Sequence, residues 1–189
     1  MRKLFWGPVV ALLLCACGET TAPEPEEESP RTLARAAGGV VLESMEASFW
    51  AVRGQGRTLV LRRADGSAAL EFEVGPGSLV ARPDGSVFAP NDSILISVRQ
   101  RVAGGYVFDF EPSGVQFSTT APALLRIRYD SDLNGDGVIG LADALLESTL
   151  SIWMQAGPGL PWVPIPSVRL PGQVVEGEVT HFTGFALAS

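Results

Sequence analysis

The sequence predicts an all-β fold, an antiparallel β-sandwich with one short helix. From Gly38 onward, short β-branched and aromatic runs alternate with Gly, Pro, Asn and Asp turns, which is typical of a sandwich or barrel. Residues 70–74 alternate large apolar side chains with glutamates, so one face of that strand is buried and the other solvated. Residues 141–150 place leucines on one stripe at helical spacing and predict the helix.

Turn residues divide the rest of this region into strands. Arg53-Gly54-Gln55-Gly56 separates residues 49–52 from 58–61, and Ala64-Asp65-Gly66 separates 58–61 from 70–74. We therefore expect two hairpins in succession. Further strands are predicted at Ile94 to Val98, Tyr106 to Phe110, Leu124 to Tyr129, Ser151 to Met154, Val174 to Val179 and Phe185 to Leu187.

Residues 1–17 have the pattern of an export leader. Two basic residues precede an apolar run from Leu4 to Leu14, which is shorter than the roughly 20 residues of a membrane-spanning helix. The run ends in Leu14-Cys15-Ala16-Cys17 and resembles the lipobox of bacterial lipoproteins. That resemblance implies a diacylglycerol on Cys17, a stable membrane anchor, and Gly18 implies the outer membrane in a cell that has one. A plain secretory leader is the alternative.

Composition indicates how the exported part of the chain is organised and which ligands its charge disfavours. Residues 18–37 form an acidic tether rich in Pro and Glu, and 38–189 form one domain. Loss of the two basic leader residues takes the net charge from −7 to −9, which argues against nucleic-acid binding. Both cysteines, Cys15 and Cys17, lie in the leader, so no disulfide is expected in the domain.

The carboxy-terminal half carries a family resemblance. Its short motifs are Glu111-Pro112-Ser113-Gly114-Val115-Gln116-Phe117, Pro122-Ala123-Leu124-Leu125-Arg126-Ile127, Ile152-Trp153, Trp162-Val163-Pro164 and Val179-Thr180-His181-Phe182-Thr183-Gly184-Phe185-Ala186-Leu187. Over roughly residues 74–187 they resemble the ZU-five type β-sandwich of ankyrins and netrin receptors. The resemblance implies a non-enzymatic display or interaction module, here with an unidentified envelope or extracellular protein as partner.

A twelve-residue segment, Asp132 to Asp143, has the spacing of a calcium loop. Asp132, Asn134 and Asp136 occupy ligand positions 1, 3 and 5, and Gly137 occupies the sharp turn at position 6. Val138 offers its carbonyl at position 7. Asp143 stands at position 12, where a sensor EF-hand loop has Glu and where aspartate resembles the dockerin version of this EF-hand-like loop. We predict one structural Ca²⁺. The alternative is a solvated Asn-Gly and Asp-Gly turn that binds nothing.

Catalysis finds little support in the sequence. His181 is the only histidine, and no Gly-x-Ser-x-Gly elbow occurs, so we expect no enzyme. One alternative follows from the ZU-five resemblance, because some relatives cleave their own chain at His-Phe-Ser. Here the matching residues are His181, Phe182 and Thr183, and the Thr183 hydroxyl would attack the Phe182 carbonyl.

A second alternative is a carbohydrate-binding module. Trp50, Trp153 and Trp162 would then form an exposed stacking platform for sugars. Tryptophans in a β domain more often pack in the core, and a core position is the interpretation we favour.

Overall fold

The computed structural model describes residues 41–181 and 183–189, which form an antiparallel β-sandwich with one short helix. The predicted leader and tether, residues 1–37, and with them Cys17, lie outside the described residues, as does Phe182. The elements of the described part are β1 (Glu46–Val52), β2 (Arg57–Arg62), β3 (Ala68–Val74), β4 (Leu79–Ala81), β5 (Ser93–Gln100), β6 (Val107–Glu111), β7 (Gln116–Phe117), β8 (Ala123–Arg128), α1 (Leu141–Thr149), β9 (Ser151–Gln155), β10 (Trp162–Pro164), β11 (Ser167–Leu170), β12 (Val174–Val179) and β13 (Gly184–Ala188).

Two large sheets make up the sandwich. One has six strands in the order β1, β5, β6, β13, β9, β10, and the other has five in the order β11, β12, β8, β3, β2. Strands β4 and β7 pair separately as a two-stranded sheet. The chain crosses from the five-stranded sheet to the six-stranded one between β8 and β9, and the predicted calcium loop and α1 form this crossing.

The core lies between the two large sheets. The alternation of residues 70–74 predicts its inner face correctly, since Leu70, Phe72 and Val74 are all at most 1% exposed. Phe72 meets the facing sheet through Phe110, with ring centroids 5.2 Å apart, and Phe110 meets Phe185 at the same separation. Both pairs are edge to face, the arrangement that aromatic quadrupoles favour.

One of the two expected hairpins is correct and the other is wrong. Strands β2 and β3 pair directly, with Leu59 opposite Phe72. Strand β1 instead pairs with β5 in the other sheet, with Phe49 opposite Ile96. Residues 53–56 are therefore a corner between sheets, held by the Gly54 amide, which donates to the Pro76 carbonyl at 3.1 Å.

The helix exists where it is predicted, but its leucines do not all lie on one stripe. Leu141 and Leu145 are 78% and 62% exposed. The buried side of α1 instead carries Asp143 and Leu146, followed by Leu150 just beyond the last turn. Spacings of three and four residues place these three on one face.

Candidate functional site

The sandwich fixes the start of the predicted calcium loop through Asp130. The Arg63 guanidinium forms an ion pair with Asp130 Oδ1 at 2.5 Å, and the Tyr106 hydroxyl donates to Oδ2 at 3.2 Å. The Asp130 amide donates back to the Tyr106 hydroxyl oxygen at 3.1 Å. Burial, and then the charge of Asp130, raises the pKa of Tyr106, so this tyrosine stays a hydrogen-bond donor.

A second set of contacts fixes the helix that follows the loop. The Tyr129 hydroxyl at the end of β8 donates to Glu147 Oε1 at 2.6 Å. Arg169 of β11 donates to the Glu147 carbonyl at 2.9 Å. Burial, and then the hydrogen bond to Glu147, raises the pKa of Tyr129 to about 12. Side-chain contacts from the sandwich therefore fix both ends of the loop.

Inside the loop, side-chain oxygens turn back toward the backbone. Asp132 Oδ1 accepts from the Gly135 amide at 2.8 Å, and its Oδ2 accepts from the Gly137 amide at 2.9 Å. Asn134 Oδ1 accepts from the Asp136 amide at 3.0 Å, and Asp136 Oδ1 accepts from the Val138 amide at 2.7 Å. The oxygens predicted for positions 1, 3 and 5 therefore each accept from backbone amides of the loop.

Gly137 has the backbone conformation that position 6 requires. Its φ is 81°, in the left-handed region that side chains other than glycine rarely adopt. A Cβ built on Gly137 would meet nothing within 4 Å. The need for glycine is thus conformational and does not come from crowding.

Asp143, the residue predicted for position 12, is buried at 3% exposure and already has partners. Its Oδ1 accepts from the amides of Leu133 at 2.8 Å and Asn134 at 3.2 Å, and its Oδ2 accepts from Gly140 at 2.8 Å. These amides, that of Gly140 first, lower the pKa of Asp143. The carboxylate joins the start of the loop to the first turn of α1.

The donor chemistry of the loop fits a hard cation. Each carboxylate oxygen offers about two lone pairs, so Asp132 and Asp136 keep free acceptor capacity on both oxygens. Asp143 Oδ1 already accepts two bonds and Oδ2 accepts one, so only Oδ2 keeps a lone pair for a cation. Among residues 41–181 and 183–189, no group of three or more His, Cys, Asp or Glu side chains is arranged to hold a metal ion.

The predicted autoproteolytic residues have other partners. The Thr183 hydroxyl donates to the backbone carbonyl of Gln155 on β9, and His181 Nδ1 lies 3.2 Å from the Thr180 hydroxyl. Among the hydrogen bonds of the described residues, none joins His181 to Thr183. Phe182, whose carbonyl would be attacked, lies outside the described residues.

The three tryptophans do not gather on one platform. Trp153 is buried at 7% exposure, as a core position predicts, whereas Trp50 is 55% exposed. Trp50 lies on β1 and Trp162 on β10, the two opposite edges of the six-stranded sheet. Neighbouring strands are about 4.8 Å apart, so five steps separate these edges by roughly 24 Å.

Sequence reasoning missed the residues that hold the loop ends. Arg63 precedes Asp130 by 67 positions and Tyr106 precedes it by 24. Their side chains converge only because β-pairing brings distant segments together. A tyrosine or arginine beside a turn carries no sequence signal for such a contact.

Comparisons with known proteins add no relative for this fold or loop. No protein-family model matches the chain, and neither a curated protein nor a solved structure matches it. Within the described residues, no helix has the length and apolar character needed to cross a membrane.

Proposed function

We propose that this protein is a non-catalytic display or interaction module of the bacterial cell envelope, anchored by lipid on Cys17 and stabilised by one Ca²⁺ in the loop from Asp132 to Asp143. The observation that carries the calcium part is the loop geometry. Oxygens of Asp132, Asn134 and Asp136 accept from amides of a loop that turns at the left-handed Gly137. Hard oxygen donors on a tight turn suit calcium.

The position of the loop gives calcium a structural role. The loop forms the crossing from the five-stranded to the six-stranded sheet, and contacts to Asp130 and Glu147 already fix its ends. An ion that binds only the folded loop stabilises the fold by mass action. Calcium would thus take the part that a disulfide plays in many exported domains.

Exposed apolar residues beside the loop support an interaction role. Val138 and Ile139 in the loop are 67% and 72% exposed, and Leu141 and Leu145 follow one turn apart on the open face of α1. Soluble monomers rarely expose large contiguous apolar areas unless these bind something. An envelope or extracellular protein is the partner that this part of the proposal expects.

The anchor is tested in bacterial cells that express the full chain with a clickable palmitate analogue. We expect the chain to be labelled and to sediment with membranes, and we expect Cys17→Ser to abolish both. Cys15→Ser is the matched control, because that cysteine follows the bulky Leu14 and is the poorer lipidation site. A Cys17→Ser chain that still takes up label would contradict the assignment of the lipidated residue.

A further inference from the structure

The outer face of the six-stranded sheet carries a row of polar residues from neighbouring strands. Glu46 on β1 lies opposite Arg99 on β5, and Arg99 lies opposite Asp109 on β6. Gly184 on β13 follows, paired with Asp109 on one side and with Gln155 of β9 on the other. The row therefore crosses five of the six strands at one level.

Gly184 lies in the floor of a cleft on this face. A Cβ at Gly184 would lie 3.4 Å from Arg101 Nη2 and 3.7 Å from Asp109 Oδ1, so these two side chains pack over the glycine. The cleft above it has a volume of about 540 Å³, and Gly157 and Pro158 line one wall. That volume falls within the range of about 300–1,000 Å³ usual for small-ligand sites.

The charged groups in the cleft nearly cancel. Asp109 accepts from Arg101 Nη2 at 2.5 Å and from Nε at 3.2 Å, and Arg99 lies 4.0 Å from its other oxygen. Glu46 and Glu111 also line the cleft, so three carboxylates face two guanidinium groups. A ligand of strong single charge gains little there. A neutral polar ligand finds neighbouring hydrogen-bond donors and acceptors in the cleft.

An aromatic ring lies at one end of the row. Trp162 on β10 is opposite Gln155, and the Arg101 guanidinium lies over its ring at 5.9 Å from the centroid. The ion pair with Asp109 and the cation–π contact hold the Arg101 guanidinium in place. Its Nη1 makes no bond to Asp109, so N–H donors remain beside the acceptor oxygens.

We propose that this cleft binds a neutral oligosaccharide. A hydroxyl group donates and accepts at once, so adjacent hydroxyls of a sugar match the alternating guanidinium and carboxylate groups of the cleft. The site differs from a platform of three tryptophans and depends on neither the lipid nor the calcium loop.

Calorimetric titration of the mature chain tests the proposal with three neutral trisaccharides: maltotriose, cellotriose and chitotriose. We expect saturable binding at one site for at least one of them. We expect Arg101→Gln and Asp109→Asn each to lower the affinity for that sugar tenfold or more. Arg57→Gln is the matched control, since Arg57 is an exposed arginine on the opposite sheet whose side chain donates to Gln55. The control should bind like the unchanged chain.

Three outcomes would overturn the proposal. The first is no saturable binding of any of the three sugars, and the second is binding that survives both Arg101→Gln and Asp109→Asn. The third is tighter binding of trigalacturonic acid or of an acidic peptide, which would assign the cleft to charged ligands.

Discussion

Replacement of Asp136 by alanine separates the calcium contribution from the intrinsic stability of the loop. In chelator the change removes the two hydrogen bonds that the exposed Asp136 carboxylate accepts, one from the Val138 amide and one from Asn134 Nδ2. Surface changes of this kind cost under about 1 kcal/mol. With free calcium near ~1 mM and a dissociation constant near ~10 μM, the lost ion would cost about 2.7 kcal/mol more.

Thermal melting with calcium and with chelator measures this difference. For a domain of this size, 1 kcal/mol corresponds to about 2–4 °C, so Asp136→Ala should lower the melting temperature by roughly 5–10 °C more in calcium. Asp84→Ala is the matched control. Asp84 also accepts bonds from a residue two positions on, Ser86, but in a turn outside the loop. Equal loss for Asp136→Ala in both conditions would refute a stabilising calcium ion.

Two further outcomes follow from the same region and from the last strand. Backbone amides, that of Gly140 first, hold the pKa of Asp143 below its ordinary 3.8. Because the folded pKa is depressed, this contribution is complete above 3.8 and is lost as the pH falls below it. Asp143→Asn should therefore reduce the fall in melting temperature between about pH 5 and about pH 2.5; an unchanged acid profile would contradict this. Since Thr183 bonds to Gln155 and His181 to Thr180, intact mass spectrometry of the incubated mature chain should give one unbroken mass, and a fragment that begins at Thr183 would contradict it.

Alternation of apolar and polar residues predicted strands well where one face of the strand is buried and the other solvated. Residues 70–74 are the clearest case, because burial of Phe72 and solvation of its glutamate neighbours leave one register for β3. The corner at residues 53–56 could not be told from a hairpin. Its turn residues look the same, and only the distant pairing of β1 with β5 carries the chain into the other sheet.

The face of α1 was ambiguous for a related reason. Leu141 and Leu145 form one pair four residues apart, and Leu146 and Leu150 form another on an adjacent face. Hydrophobicity alone does not choose between them. The buried Asp143 lies on the second face, and its carboxylate accepts hydrogen bonds from three backbone amides of the loop, which ties that face to the loop.

The site could be predicted only as far as its ligands are local. Asp132, Asn134 and Asp136 lie within five residues, so their spacing carries the geometry of the loop. Arg63 and Tyr106 reach Asp130 from other strands, and the cleft around Gly184 collects residues from five strands. Such sets arise from strand order, which single-sequence patterns do not specify.

The most direct test of the central claim is calorimetric titration of the chelator-stripped mature chain with calcium. We expect saturable binding of one ion per chain, lost in Asp132→Ala and in Asp136→Ala, and a higher melting temperature for the loaded protein. Absence of heat and of any melting shift would contradict a calcium-stabilised module and leave the loop as a hydrogen-bonded turn.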